Sequence, residues 1–85
     1  MNRSDLPPRQ LQVLEIIIED VGSVFDQTEA NQRLIADRIG WKNTGGVLDC
    51  LYALRAKGFL TSERRRREDG RMCWRWSVVE KERVV

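Results

Sequence analysis

Histidine is absent from the 85 residues. Its absence removes both the most frequent general acid–base and the most frequent metal ligand. Cysteine is scarce: only Cys50 and Cys73 are present, at a spacing that fits no zinc site. The chain contains no glycine-rich phosphate loop and no nucleophile with an obvious base. Glu15 and Glu19, one helical turn apart, read as a solvated face. We therefore expect no enzyme activity, no metal and no cofactor. No apolar run approaches the length of a membrane span, and the opening MNRSDLPPRQ lacks the apolar segment of a secretory signal. These absences lead us to expect a cytoplasmic protein with no membrane partner and two reduced thiols. Internal repeats are lacking, as are low-complexity segments beyond one run of arginine.

What is present suits one small globular domain. Apolar residues make up 41% of the chain and charged residues 33%. The net charge of +2 hides an asymmetry. Residues 1–54 hold five basic and eight acidic side chains, whereas residues 55–75 hold eight basic and three acidic ones. A local basic block on a nearly neutral chain points to a polyanion-facing surface.

The organising stretch is residues 34–60. It reads as an amphipathic helix, a turn containing glycine, and a second helix that stops at Lys57-Gly58. Ahead of it, residues 1–6 are expected to be a flexible start. A first helix spans 8–21, opened by Pro7 and Pro8 and ended by Gly22. Its apolar arc, from Leu11, Val13, Leu14, Ile16, Ile17, Ile18 and Val21, covers roughly 220° at 100° per residue. Two explanations of that width stand: cover on two sides by the third helix and the wing, or an edge at Leu11 or Ile16 that meets a second subunit. Residues 23–30 read as a polar loop in which Val24 and Phe25 tuck under the first helix. Asn31 is the expected cap of a second helix over 31–40, with Ile35, Ala36 and Ile39 facing inward. Asn43 or Thr44 caps a third helix over 44–57, whose inward residues are Val47, Cys50, Leu51 and Leu54.

A β-hairpin follows over 60–79, with Asp69-Gly70 as a two-residue turn signal. Alternation puts Met72, Trp74, Trp76 and Val78 on one face, which is expected to cover the first and third helices. It puts Arg64 and Arg66 on one side of the partner strand and Arg65 and Arg67 on the other. Residues 80–85 read as a loosely held tail. The fold class expected is α+β: a three-helix winged helix-turn-helix with a C-terminal β-hairpin wing.

From Leu6 to Leu60 the chain resembles the DNA-binding domain of LexA-type repressors. Leu6-Pro7-Pro8-Arg9-Gln10 with Val13-Leu14 looks like that family's first-helix signature, with proline in place of a usual threonine. Ile35-Ala36, Arg38-Ile39-Gly40-Trp41 is similar to its second helix and turn. Leu51, Ala53-Leu54 and Lys57-Gly58-Phe59-Leu60 are similar to the end of its third helix. The resemblance implies a DNA-binding architecture. It does not extend to the family's self-cleaving protease domain, and the arginine-loaded wing is longer than the family's. Family members read their operator from the start of the third helix. The matching positions here, Asn43, Gly45, Gly46, Leu48 and Asp49, differ enough that the operator does not carry over.

The candidate contact set follows from these readings. From the turn and third helix it takes Trp41, Lys42, Asn43, Thr44, Gly45, Gly46, Leu48, Asp49, Tyr52 and Arg55. Paired glycines would let the helix start approach a phosphate, Leu48 would touch a thymine methyl, and Asp49 would accept from cytosine. From the wing it takes Arg64, Arg65, Arg66, Arg67 and Arg71, on backbone or minor groove. The expected function is a small bacterial or phage transcriptional regulator, such as a repressor, that binds double-stranded DNA as a homodimer through the first helix. The alternative is a protein-interaction module in which Leu48, Tyr52 and the first helix form a docking patch. Trp74 and Trp76 are expected in the core; were Trp74 exposed, single-stranded DNA or RNA would become a third candidate ligand.

Overall fold

A computed structural model describes residues 3–79. It is an α+β arrangement of three helices and a three-stranded antiparallel sheet. Helix α1 spans Pro8–Ile16 and continues into a wider π-helical turn, Ile17–Val21, which closes with the Gly22 N–H donating to the Ile17 carbonyl. Strand β1 is Val24–Asp26, α2 is Glu29–Ile39 and α3 is Gly45–Ala56. Strands β2 (Leu60–Arg66) and β3 (Met72–Val78) form the hairpin, and the sheet order is β1-β3-β2. No helix among the described residues is long and apolar enough to cross a membrane.

The core lies between the three helices and the inner face of the sheet. Val13, Leu14 and Ile17 of the first helix meet Ile35 and Ala36 of α2 and Val47, Leu51 and Leu54 of α3. Phe25, Phe59, Leu60 and Trp76 close it from the sheet side. Trp76 has no exposed surface, and its indole N–H donates to Gln27 Oε1 at 3.0 Å, so the large ring is buried without an unpaired donor. No charged side chain is buried among the described residues.

Several expectations need correction. Within the segment 1–6, Arg3–Asp5 form a 3-10 turn and Leu6 is 6% exposed within the core. Residues 1–2 and the tail at 80–85 lie outside the described residues. The wide arc of α1 is covered mainly by α3 and α2 rather than by α3 and the wing; Leu11, Ile16, Ile18 and Val21 pack partly buried against the core. Residues 24–26 are not loop but an edge strand: Phe25 pairs with Trp76, and Val24 lies on the outer face, exposed. Helix α2 begins at Glu29, not 31, because Thr28 is the cap and its hydroxyl accepts from the Asn31 N–H at 3.1 Å. Asn31 instead donates its side-chain amide to the Asp26 carbonyl, pinning α2 to β1. Thr44 precedes α3 but makes no side-chain cap bond; its carbonyl accepts from Val47.

The end of α3 and the hairpin tip fix where the sheet stands. After α3 the Phe59 N–H donates to Leu54 and the Gly58 N–H to Arg55, with Gly58 left-handed at φ 88°. This paired closure ends the helix and turns the chain directly into β2. At the tip, the Gly70 N–H donates to the Arg67 carbonyl and the Arg67 N–H to the Arg71 carbonyl, with Gly70 at φ 87°. The connection is therefore a three-residue loop, Glu68-Asp69-Gly70, and not the two-residue turn that Asp-Gly suggests.

Candidate nucleic-acid interface

The register of the hairpin sorts its side chains by face. Leu60 pairs with Val78, Ser62 with Trp76, Arg64 with Trp74 and Arg66 with Met72. These residues share the face that carries the core, so the inner face runs from buried Leu60 and Trp76 outward to exposed Arg64, Arg66, Trp74 and Met72. On the opposite face Thr61 pairs with Ser77, Glu63 with Arg75 and Arg65 with Cys73. Charge is thus segregated. The paired residues of the inner face include arginine and no carboxylate, whereas the outer face mixes both signs. There Arg75 Nε lies 3.2 Å from Asp26 Oδ1, and a cavity of about 400 Å³ is lined by Asp26, Arg65, Arg67, Glu68, Asp69 and Arg75.

The exposed stripe of α3 is Gly45, Asp49, Tyr52, Arg55 and Ala56. It joins the inner face of the hairpin through Arg55. That guanidinium donates from Nη1 to Ser62 Oγ at 2.8 Å and sits 5.3 Å from the Tyr52 ring centroid and 5.5 Å from that of Trp76. The Tyr52 and Trp76 rings are 5.9 Å apart. One strand step further out, the Arg64 guanidinium lies 6.0 Å from the Trp74 ring. Two aromatic–guanidinium clusters therefore follow one another from α3 along the hairpin: Tyr52, Arg55 and the buried Trp76, then Arg64 and Trp74.

Three arginines elsewhere have acidic partners. Arg33 pairs with Asp37, Arg38 with Asp20 and Arg75 with Asp26. Among the described residues, Arg64, Arg65, Arg66 and Arg67 have no such partner, and all four are exposed. Arg71 is also exposed, at the tip, where its backbone N–H donates to Asp69 Oδ1.

The turn between α2 and α3 is built for packing. A Cβ at Gly46 would lie 3.0 Å from Trp41 Cζ3 and 3.2 Å from Cε3, whereas one at Gly45 meets nothing within 4 Å. Gly46 is thus explained by the indole seated on the start of α3. Trp41 is half-buried against the core, with the Arg9 guanidinium 5.7 Å from its ring. Lys42 and Asn43 are exposed, and the Lys42 carbonyl accepts from Arg33 at 3.0 Å. Leu48 is half-buried and packs against the core.

Trp74 is not in the core, contrary to the expectation from alternation. It is 39% exposed, and Met72 beside it is 48% exposed, so only the inner half of β3 covers the core. Strand length carried the signal. Seven residues at ~3.4 Å each extend well past the ~10 Å width of a helix, so the far end must overhang. Ser62, which anchors Arg55, was also missed.

Cys50 is buried, and burial pushes its thiol above the ordinary value of 9.0; the Asp49 charge raises it further, and Arg9 opposes both. That thiol is packing material.

Comparison of the chain with family models, curated proteins and solved structures gives no match.

Proposed function

We propose that this chain is a winged helix-turn-helix domain that binds duplex DNA and acts as a small transcriptional regulator. Helix α3 enters the major groove, and the β2–β3 hairpin serves as the wing on the flanking backbone or minor groove. The observation that carries this reading is the sidedness of the hairpin. Its carboxylate-free face, with Arg64 and Arg66, is continuous with the exposed stripe of α3 through Arg55. A polyanion lying on both elements at once meets guanidinium groups without meeting the paired charges of the outer face. The likeness of residues 6–60 to LexA-type repressor domains supports the same architecture.

The contacts available on the turn and α3 are few. Asn43, Thr44 and Asp49 supply hydrogen-bonding groups, and Tyr52 and Arg55 supply the rest. Sequence-independent phosphate contact therefore dominates affinity in this reading, and base contacts from the turn and the start of α3 select the site. The docking-patch alternative has less support. Leu48 packs inward, and the Tyr52 ring already faces Arg55 and Trp76. The wide apolar arc of α1 is used within the domain, so the proposal does not require a second subunit.

Titration of fluorescent duplex DNA across a salt series tests the reading. The logarithm of affinity should fall linearly with the logarithm of salt concentration, by about 0.9 per phosphate neutralised. Absence of binding at low ionic strength, or binding indifferent to salt, would refute it.

A further inference from the structure

We propose that the outer half of the wing's inner face is a stacking site for an unpaired nucleobase beside the duplex, with Trp74 as its platform. The inference rests on the reading that α3 and the wing bind duplex DNA, and it adds a structural preference: duplex carrying a single-stranded extension over blunt duplex.

Trp74 lies outside the buried core cluster. Trp76, Leu60 and Phe59 already close the core on that side, and Trp74 stands beyond them with two fifths of its surface in solvent. Nor is it an isolated apolar residue. Of the four large hydrophobic side chains exposed among the described residues, Tyr52, Met72 and Trp74 lie on the face shared by α3 and the wing. Only Val24 lies elsewhere, opposite Ser77 on the outer face. Exposed aromatic surface gathered on one face and interleaved with arginine marks a binding surface rather than a solvated edge.

The chemistry of the neighbours selects the partner. Arg64 sits over the Trp74 ring, and Arg66 follows on the same face opposite Met72. An apolar ring flanked by guanidinium groups complements a flat base whose own phosphates are a few ångströms away. A base inside a duplex hides both faces in the stack and shows a protein only its edge. A ring platform therefore gains contact only with a base that has left the stack. Same-face residues in a strand repeat at roughly 7 Å. Trp74 therefore stands one such step beyond the buried Trp76, outward from α3 along the wing.

The test compares the full chain with its Trp74→Ala and Trp74→Phe variants. The probes are a blunt duplex, the same duplex with a three-nucleotide single-stranded tail, and the tail strand alone, each at low salt. Because Trp74 lies outside the core, both variants should keep the parent's circular dichroism spectrum and a cooperative urea transition. The parent should bind the tailed duplex roughly tenfold more tightly than the blunt one, the scale of one stacked base. Trp74→Phe should keep most of that preference, and Trp74→Ala should abolish it. Tryptophan emission should be quenched by the tailed duplex in the parent and not in Trp74→Phe. Equal affinity for blunt and tailed DNA, or a preference that survives Trp74→Ala, would overturn the stacking site and leave the duplex reading standing. No binding to any probe would overturn both. Binding of the lone strand as tightly as the tailed duplex would overturn the junction preference.

Discussion

Cys50 and Cys73 show how position decides the chemistry of one residue type. Both are free thiols, but Cys50 is buried in the α3 core stripe and Cys73 is half-buried on the outer face of the sheet. Burial and the Asp49 charge raise the Cys50 value above 9.0, so the folded state retains a proton that the unfolded chain releases at that pH. Native protein then binds more protons than unfolded protein above pH 9, and stability falls as pH rises through that range. Below pH 9 both states hold the proton and the contribution is constant. Urea unfolding of the parent and Cys50→Ala between pH 8 and 10.5 should show the parent losing more stability than the variant above pH 9. Parallel loss would contradict the assignment. The two tryptophans make the same point about legibility. Alternation correctly puts Trp74 and Trp76 on one face of β3, but it cannot say where along the strand the core ends. Trp76 falls over the helices and is sealed; Trp74, two residues out, is not.

At the scale of elements, the three helices and the hairpin were readable from periodicity, and the exceptions have local causes. Strand β1 has three residues and only Phe25 faces inward, too little for a period to register. Its strand character comes from β3, which offers Trp76 and an unpaired edge. Thr28 and Asn31 both suit a helix cap, and the choice depends on whether Asn31 can reach the Asp26 carbonyl, a tertiary fact. The glycine pair opening α3 looked like one feature with one purpose, yet its members differ. Gly45→Ala should stabilise the protein by about 0.5 kcal/mol, because the site is open and the unfolded chain loses freedom. Gly46→Ala should destabilise it by about 1 kcal/mol, because the methyl group presses on the Trp41 ring at 3.0 Å. In a Trp41→Ala background the second effect should change sign, since the better helix former then meets no obstacle. Urea midpoints of the four variants check this; a Gly46→Ala penalty that persists without the indole would remove the packing explanation.

For the whole molecule, the decisive property is how charge is distributed over faces. Net charge of +2 says little, and the arginine run in the sequence says only that a basic tip exists. The run was readable, as was its alternation. Which alternate faces α3 was not, because that depends on the hairpin register and on Arg55 reaching Ser62 across from the helix. The folded arrangement puts Arg64 and Arg66 on the same face as Tyr52 and Arg55. It puts Arg65 among the mixed charges around Asp26 and Arg75, and Arg67 lines the same outer cavity. Net charge alone would make all four arginines interchangeable in attracting a polyanion. Contact through one face makes them unequal.

The most direct measurement follows from that inequality: duplex-DNA affinity across a salt series for two double variants of equal charge, Arg64→Ala with Arg66→Ala, and Arg65→Ala with Arg67→Ala. The inner-face pair should lose roughly tenfold or more in affinity at low salt and shed close to two phosphates' worth of salt slope, about 0.9 each. The outer-face pair should lose less than about threefold and keep most of the parent slope. Equal losses from the two pairs, or a larger loss from the outer pair, would contradict the inner face as the site of contact.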